Sequence, residues 1–155
     1  MKSLLTTLAL TSAIILPGTV IAKTITLTTE MANYRGPGAY LVIYITDSKG
    51  VYQDTVWVSG GKSKYYGHLV SWYRATGAAA AEINGITGAS VGSGRTMTVS
   101  FDLSDALFDA GYQLRIDTSV EDGRDVAHDV VVPLTSDKLG KDISGRRYIK
   151  RFTFR

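Results

Sequence analysis

The chain has 155 residues, of which 17 are basic and 14 acidic, and its formal net charge is +3. A charge balance this small favours neither a nucleic acid nor an anionic membrane as the partner. The sequence contains no cysteine, which excludes disulfides and a lipid-modified N-terminal cysteine.

The N-terminal segment has the pattern of a secretory signal peptide. Lys2 precedes an apolar run from Leu4 to Pro17, and Val20-Ile21-Ala22 has the small-residue character of a cleavage site. The run is shorter than the roughly 20 residues that a membrane-spanning helix needs. We therefore expect residues 1–22 to be removed on export. Residues 23–155 should then form one domain that is not inserted in a membrane.

The remaining chain has the alternating, turn-punctuated pattern of an all-β domain. Asp47 to Gly50 and Asp122-Gly123 are the strongest hairpin turns. About seven strands are predicted, which is the number expected for an immunoglobulin-like β-sandwich. They cover Thr24–Thr29, Ala39–Thr46, Val51–Val58, Thr96–Phe101, Tyr112–Asp117, Val126–Leu134 and Arg147–Phe154.

Two segments interrupt the β pattern. Lys64 to Arg74 places Tyr65, Leu69 and Trp72 at the spacing of one helix face, which predicts a short amphipathic helix. Ala75 to Gly94 follows as a long loop rich in Ala, Gly, Thr and Ser. A loop of this length in a compact domain is usually functional or disordered.

Within that loop, Asn84, Thr87, Gly88, Ala89 and Ser90 resemble the acceptor pattern of proteins that carry covalent FMN. The resemblance implies that a flavin transferase, using FAD and a divalent metal, joins FMN through its phosphate to the Ser90 hydroxyl. The small Gly88 and Ala89 would let another enzyme's cleft approach Ser90 closely. Thr87 could hold the turn through a local hydrogen bond. Asn84 departs from the pattern, because the usual residue is Asp, whose negative charge an amide lacks.

The wider chain resembles a family of predicted periplasmic proteins, the domain of unknown function 2271. The resemblance runs through successive landmarks: Tyr40 to Tyr44, Asp47 to Gly50, Leu69 with Trp72-Tyr73-Arg74, Phe101-Asp102 and Gly111-Tyr112. It implies an immunoglobulin-like sandwich in the periplasm that bears a flavin, carries electrons and partners a membrane or periplasmic reductase. The chain would be a redox carrier, not an enzyme that acts alone.

Other functions remain open on the same residues. Gly88 to Gly92 also matches the nucleophile elbow G-x-S-x-G, with His68 or His128 as the base of a small serine hydrolase. The surrounding β pattern disfavours this, because an elbow stands between a strand and a helix. A third possibility is a cofactor-free binding module that uses Ala75 to Gly94 as a recognition loop, with the acceptor pattern being ordinary loop composition.

Four aromatic residues near the acceptor could either stack on a flavin or pack the helix. They are Tyr65, Tyr66, Trp72 and Tyr73, and for Trp72 we favour packing. No metal site is expected, since two histidines without cysteine are a poor zinc set. The Asp-rich stretches near 102–109 and 121–129 do not follow the EF-hand pattern either.

Overall fold

The computed structural model describes residues 21–77, 79 and 83–155. Almost all of the predicted signal peptide, residues 1–20, lies outside this part of the chain, so its removal stays a prediction.

Across the described ranges the chain forms eight β-strands in two sheets, which confirms the predicted β-sandwich. Most strands begin or end within two residues of the predicted bounds. The strands are β1 (Ala22–Met31), β2 (Tyr40–Thr46), β3 (Tyr52–Ser59), β4 (Thr87–Gly88), β5 (Thr96–Ser104), β6 (Gln113–Ser119), β7 (Asp125–Pro133) and β8 (Ile149–Phe154).

In the described residues the strand order resembles that of an immunoglobulin variable domain without strand D, with the C-terminal strand in the place of strand A and with a parallel edge strand. One sheet has the order β5-β1-β8 and the other β4-β3-β2-β6-β7. These match strands E and B of one immunoglobulin sheet and C″, C′, C, F and G of the other. The C-terminal β8 pairs with β1 where strand A would stand. All pairs are antiparallel except β3 with β4, which is parallel.

The core lies between the sheets and follows the sequence pattern. On β1, Ile25 and Leu27 are fully buried and alternate with partly exposed threonines. The denser β2 is buried throughout its length from Leu41 because both of its faces are covered. Its residues Leu41, Ile43 and Ile45 join the main core. Each fully buried Leu or Ile contributes about 1.5–3 kcal/mol.

The other face of β2 is covered by the segment predicted as one helix, and here that prediction is wrong in detail. A 3₁₀ helix spans Ser63–His68 and an α-helix, α1, spans Val70–Thr76. Leu69 separates them with a non-helical ψ of 75°. The break turns Tyr66 instead of Tyr65 inward. Tyr66, Leu69 and Trp72 pack on Val42, Tyr44 and Val58 as a second, smaller core.

A buried carboxylate fastens α1 to the sheet. Asp117 on β6 is fully buried and its Oδ2 accepts hydrogen bonds from the backbone N–H groups of Ser71 (2.7 Å) and Trp72 (2.9 Å). Its Oδ1 accepts from the Tyr44 hydroxyl at 3.1 Å. The carboxylate thus satisfies helix N–H groups that have no intrahelical partner, and it fixes the segment that begins at Ser63 over the sheet.

The predicted loop from Ala75 to Gly94 is partly tied into the sheet. Its Thr87 and Gly88 form β4, the strand that the sequence pattern did not predict. Val91 then forms a bridge with Ala39, with reciprocal N–H···O distances of 2.7 and 2.9 Å. Residues 78 and 80–82 of this loop lie outside the described residues.

Candidate functional site

The acceptor segment begins with a tight turn at Asn84-Gly85. The Ile86 N–H donates to the Ile83 carbonyl at 3.3 Å, and Gly85 has φ +78°. This left-handed conformation suits glycine. Asn84 is exposed at the turn, so its amide is available to another protein.

Gly88 belongs to the acceptor pattern, and close packing against Trp57 also requires a glycine at this position. A Cβ at this position would lie 2.6 Å from Cζ2 of Trp57, far inside van der Waals contact. Only glycine therefore lets β4 lie against the indole of β3. The next residue, Ala89, is exposed.

Ser90 is exposed and lies between two anchored points, the β4 pairing and the Val91–Ala39 bridge. Its hydroxyl lies over the α-carbon of Gly38. A Cβ at Gly38 would be 2.5 Å from Ser90 Oγ and 3.0 Å from Ser90 Cβ. The missing side chain at Gly38 therefore makes the room in which the Ser90 side chain sits.

Ser90 is also on the wall of a preformed cleft of about 430 Å³. Three other segments complete the wall: residues 37–40 at the start of β2, residues 62–68 in the 3₁₀ helix, and residues 119–125 in the β6–β7 hairpin. A volume of this size lies within the range of small-molecule and cofactor sites.

One wall of the cleft is aromatic. Tyr40 and Tyr65 meet edge to face with ring centroids 5.7 Å apart. The Tyr40 hydroxyl accepts the Lys62 N–H at 3.1 Å, which holds the ring in place. Tyr65 is partly exposed, and the Lys64 ammonium lies 4.8 Å from its ring centroid.

The cleft is also lined by a hydrogen-bonded polar pair. His68 Nδ1 lies 3.0 Å from Oδ2 of Asp125, whose Oδ1 accepts the Ser119 hydroxyl at 2.7 Å. The His68 side chain is 57% exposed. Sequence reasoning missed this pairing, because the two residues are 57 positions apart and no spacing rule joins them.

Ser90, His68 and Asp125 thus share one cleft, which bears on the hydrolase alternative. A nucleophilic serine needs its base within about 2.6–3.2 Å, and no hydrogen bond joins Ser90 to His68 in the part of the chain that the structure describes. Ser90 is followed by the Val91 bridge and a turn into β5, whereas a nucleophile elbow is followed by a helix.

The structure divides the predicted cofactor-binding residues between different places. Asn84 and Thr87 line a second, more open groove together with Gly61, Tyr66 and Ile83. Ser90 is the residue of the acceptor pattern that lines the cleft.

The possible stacking of Trp72 on a flavin is corrected by the structure. Its ring is fully buried in the smaller core, and its Nε1–H donates to Thr55 Oγ1 at 2.8 Å. Packing was the favoured interpretation for this residue. Tyr73 is 41% exposed on α1 but does not line the cleft, and the buried Tyr66 donates its hydroxyl to the Gly60 carbonyl.

The second histidine has a structural environment. His128 on β7 has φ +55°, its N–H donates to Asp117 Oδ1 at 2.9 Å, and its Nε2 lies 3.2 Å from Nη1 of Arg115. Burial lowers the pKa of His128. Asp117 raises that pKa, whereas Arg115 and Arg146 lower it further. The imidazole is therefore held neutral, with Nε2 accepting from the guanidinium.

Another aspartate of the acidic stretches is a buried acceptor. Asp129 Oδ1 accepts the backbone N–H groups of Arg146 (2.7 Å) and Arg147 (2.8 Å), and its Oδ2 accepts those of Tyr148 (2.9 Å) and Ile149 (3.3 Å). The Thr118 hydroxyl donates to Oδ2 at 2.8 Å. This carboxylate holds the chain where it enters β8.

Fold and site together define a β-sandwich domain with a preformed cleft beside an exposed serine. The chain belongs to the family described as "Predicted periplasmic protein (DUF2271)", which matches residues 22–151. This confirms the family resemblance and supports a periplasmic location, whereas the match carries no statement about FMN. No curated protein and no solved structure matches the chain. None of the helices in the described ranges is long and apolar enough to cross a membrane.

Proposed function

We propose that the protein is a periplasmic electron carrier with FMN attached through its phosphate to Ser90. The observation that carries the proposal is the position of the Ser90 hydroxyl, which is exposed over Gly38 at the wall of a cleft of about 430 Å³. An exposed hydroxyl is accessible to a second enzyme, and this one adjoins a cleft whose volume lies in the range of cofactor sites.

The attachment step needs only a hydroxyl from this chain. Ser90 Oγ forms a bond to the FMN-side phosphorus of FAD, the pyrophosphate bond breaks, and AMP leaves. A flavin transferase with its divalent metal supplies the electrophile and the base that takes the hydroxyl proton. The pairing of β4 with β3 before Ser90 and the Val91–Ala39 bridge after it limit how far this segment can move away from the sandwich. The transferase must therefore dock on the surface around β4.

Once attached, FMN supplies the redox chemistry and the chain supplies position and environment. Ser90 sets the attachment point, and the sandwich provides the rigid scaffold and the surface for a membrane or periplasmic reductase. On this proposal the chain is a carrier and not a stand-alone enzyme.

Asn84 stands where the acceptor pattern has Asp. It is exposed in the groove that also contains Thr87, so a carboxylate at this position would add a negative charge without disturbing the fold. Asn84→Asp should therefore raise the rate of flavin attachment if the transferase reads that charge.

The decisive experiment co-expresses the chain with an active flavin transferase and measures intact mass. A gain of one FMN is expected in the wild type and in Ser144→Ala, an exposed serine in another part of the chain, and no gain in Ser90→Ala. An unmodified wild type, with the transferase active on a control substrate, would refute the proposal. A gain that persists in Ser90→Ala would move the attachment to another hydroxyl, with Thr87 tested next.

A cofactor-free binding module is the second candidate, and the preformed cleft favours it. This function predicts that the unmodified chain binds a small ligand in the cleft and gains no FMN from an active flavin transferase. The hydrolase alternative would be revived by ester hydrolysis that Ser90→Ala abolishes.

A further inference from the structure

Three features of the cleft beside Ser90 suit the binding of a planar ring. The first is reach. Because Ser90 itself lines the cleft, a group bonded to its hydroxyl starts at the wall of the cleft. A short tether gives an effective concentration of the order of millimolar, so weak contacts are sufficient to hold the ring there.

The second feature is an aromatic contact surface. Tyr40 is fixed by its hydrogen bond from Lys62 and by close contact with Gly60, where a Cβ would lie 2.3 Å from Cδ2 of the ring. Tyr65 meets it at an angle of 88° and is partly exposed toward the cleft. Aromatic rings favour offset stacking or edge contacts with a further ring.

The third feature is a polar group of defined character. The Asp125 carboxylate can only accept from Nδ1 of His68, and in the tautomer that carries its single proton on Nδ1 the Nε2 atom is an acceptor. An isoalloxazine ring carries a single N–H group between two carbonyls, which is a donor that this acceptor fits. Lys62 lines the same cleft and carries the charge opposite to that of a phosphodiester at Ser90. Glu121, Asp122 and Asp125, in the β6–β7 hairpin, carry the same sign as the phosphodiester.

We propose that the isoalloxazine ring of a flavin attached at Ser90 folds back into this cleft, against Tyr65 and with its N–H edge toward His68. The inference rests on the proposed attachment and adds a binding site for the ring that the acceptor pattern does not specify. A docked ring is shielded from water on one side, and the partner reductase must approach its open edge.

The test uses the FMN-loaded chain and follows the flavin by fluorescence, anisotropy and visible circular dichroism. In the folded wild type the emission should be quenched relative to the denatured sample, and the anisotropy should match tumbling of the whole domain. Tyr65→Ala should lower the docking equilibrium constant about two- to tenfold, with brighter emission and lower anisotropy. Tyr65→Phe, which keeps the ring, should behave as the wild type.

Tyr73→Ala is the control, because it removes an exposed tyrosine of the neighbouring helix that lies outside the cleft. A second readout is chemical: FMN loading should protect His68 from acylation, and Tyr65→Ala should restore the reaction. Far-UV circular dichroism verifies that each variant is folded.

The possible failures are distinct. If Ser90 gains FMN but the folded protein shows free-flavin anisotropy, and Tyr65→Ala equals Tyr73→Ala, the docking inference is wrong and the carrier proposal stands. If Ser90 gains no FMN with an active transferase, the carrier proposal fails and the docking inference fails with it.

Discussion

Replacing Gly38 by alanine tests whether the position of the Ser90 hydroxyl controls flavin attachment. The added Cβ would lie 2.5 Å from Ser90 Oγ, where ordinary van der Waals contact begins near 3.4 Å. One of the two groups must therefore move by about 0.9 Å. The Val91–Ala39 bridge holds the backbone of both segments one residue away, so most of the displacement falls on the Ser90 side chain.

A shift of this size is large for a group-transfer reaction. A misplacement of about 1 Å can cost on the order of 10²-fold in rate, and overpacking of a fixed contact costs about 1–3 kcal/mol of stability. Since the transferase can adjust the segment in part, we expect Gly38→Ala to slow flavin attachment by about tenfold to 10²-fold. The domain should stay folded, with a modest decrease in melting temperature.

The assay measures the initial rate of mass gain at fixed transferase concentration, together with thermal unfolding of each variant. Gly61→Ala is the control, because a Cβ at that nearby glycine meets no atom within 4 Å. It should be labelled at the wild-type rate. Equal rates for Gly38→Ala and Gly61→Ala, in folded protein, would show that the hydroxyl is not positioned by the space at Gly38.

The remaining predictions concern the buried polar groups that hold the scaffold. Asp129→Ala leaves the donors around β8 without their acceptor and should destabilise the domain by about 3–5 kcal/mol. This corresponds to a decrease of about 10–20 °C in melting temperature. The control is Asp137→Ala, which changes an exposed carboxylate and should alter stability by less than about 0.5 kcal/mol. Similar melting temperatures for the two variants would contradict the role of Asp129 as a stabilising buried acceptor. Because burial lowers the pKa of His128 below its ordinary 6.5, the unfolded chain takes up this proton at a higher pH than the folded chain. Stability should therefore fall as the pH decreases through 6.5 toward the folded value. His128→Asn, which tolerates the positive φ, should reduce the slope of unfolding free energy against pH between 7.5 and 5, and an unchanged slope would assign the loss to another group.

The sequence pattern predicted most of the sheet because burial repeats every second residue along a half-buried strand. The alternation of apolar and polar residues on β1 indicates that one face of the strand is buried, and the continuous apolar run on β2 indicates that both faces are buried. Both patterns can be recognised from neighbouring residues alone. The turns at Asp47 to Gly50 and Asp122-Gly123 are local in the same sense, since they depend on residues with special backbone preferences.

Other elements could not be predicted because their causes are distant in sequence. The two-residue β4 has no period of its own and exists because it pairs with β3 and because Gly88 fits against Trp57. The break at Leu69 places Tyr66 inward instead of Tyr65. A helical pattern alone could not show whether Tyr65 or Tyr66 is buried, because this depends on which of the two adjacent side chains packs against β2.

The sequence by itself determined the fold class, the turns and a hydroxyl in a stretch of small residues, because short-range spacing and residue chemistry specify each of these. Only the tertiary structure decided what surrounds that hydroxyl. Gly38, the 3₁₀-helix residues Tyr65 and His68, and Asp125 come from three separate segments. They share one cleft with Ser90 because the sandwich brings the ends of β2, β6 and β7 to one side of the molecule, beside the 3₁₀ helix. Long-range packing creates the cleft, and no local pattern encodes it.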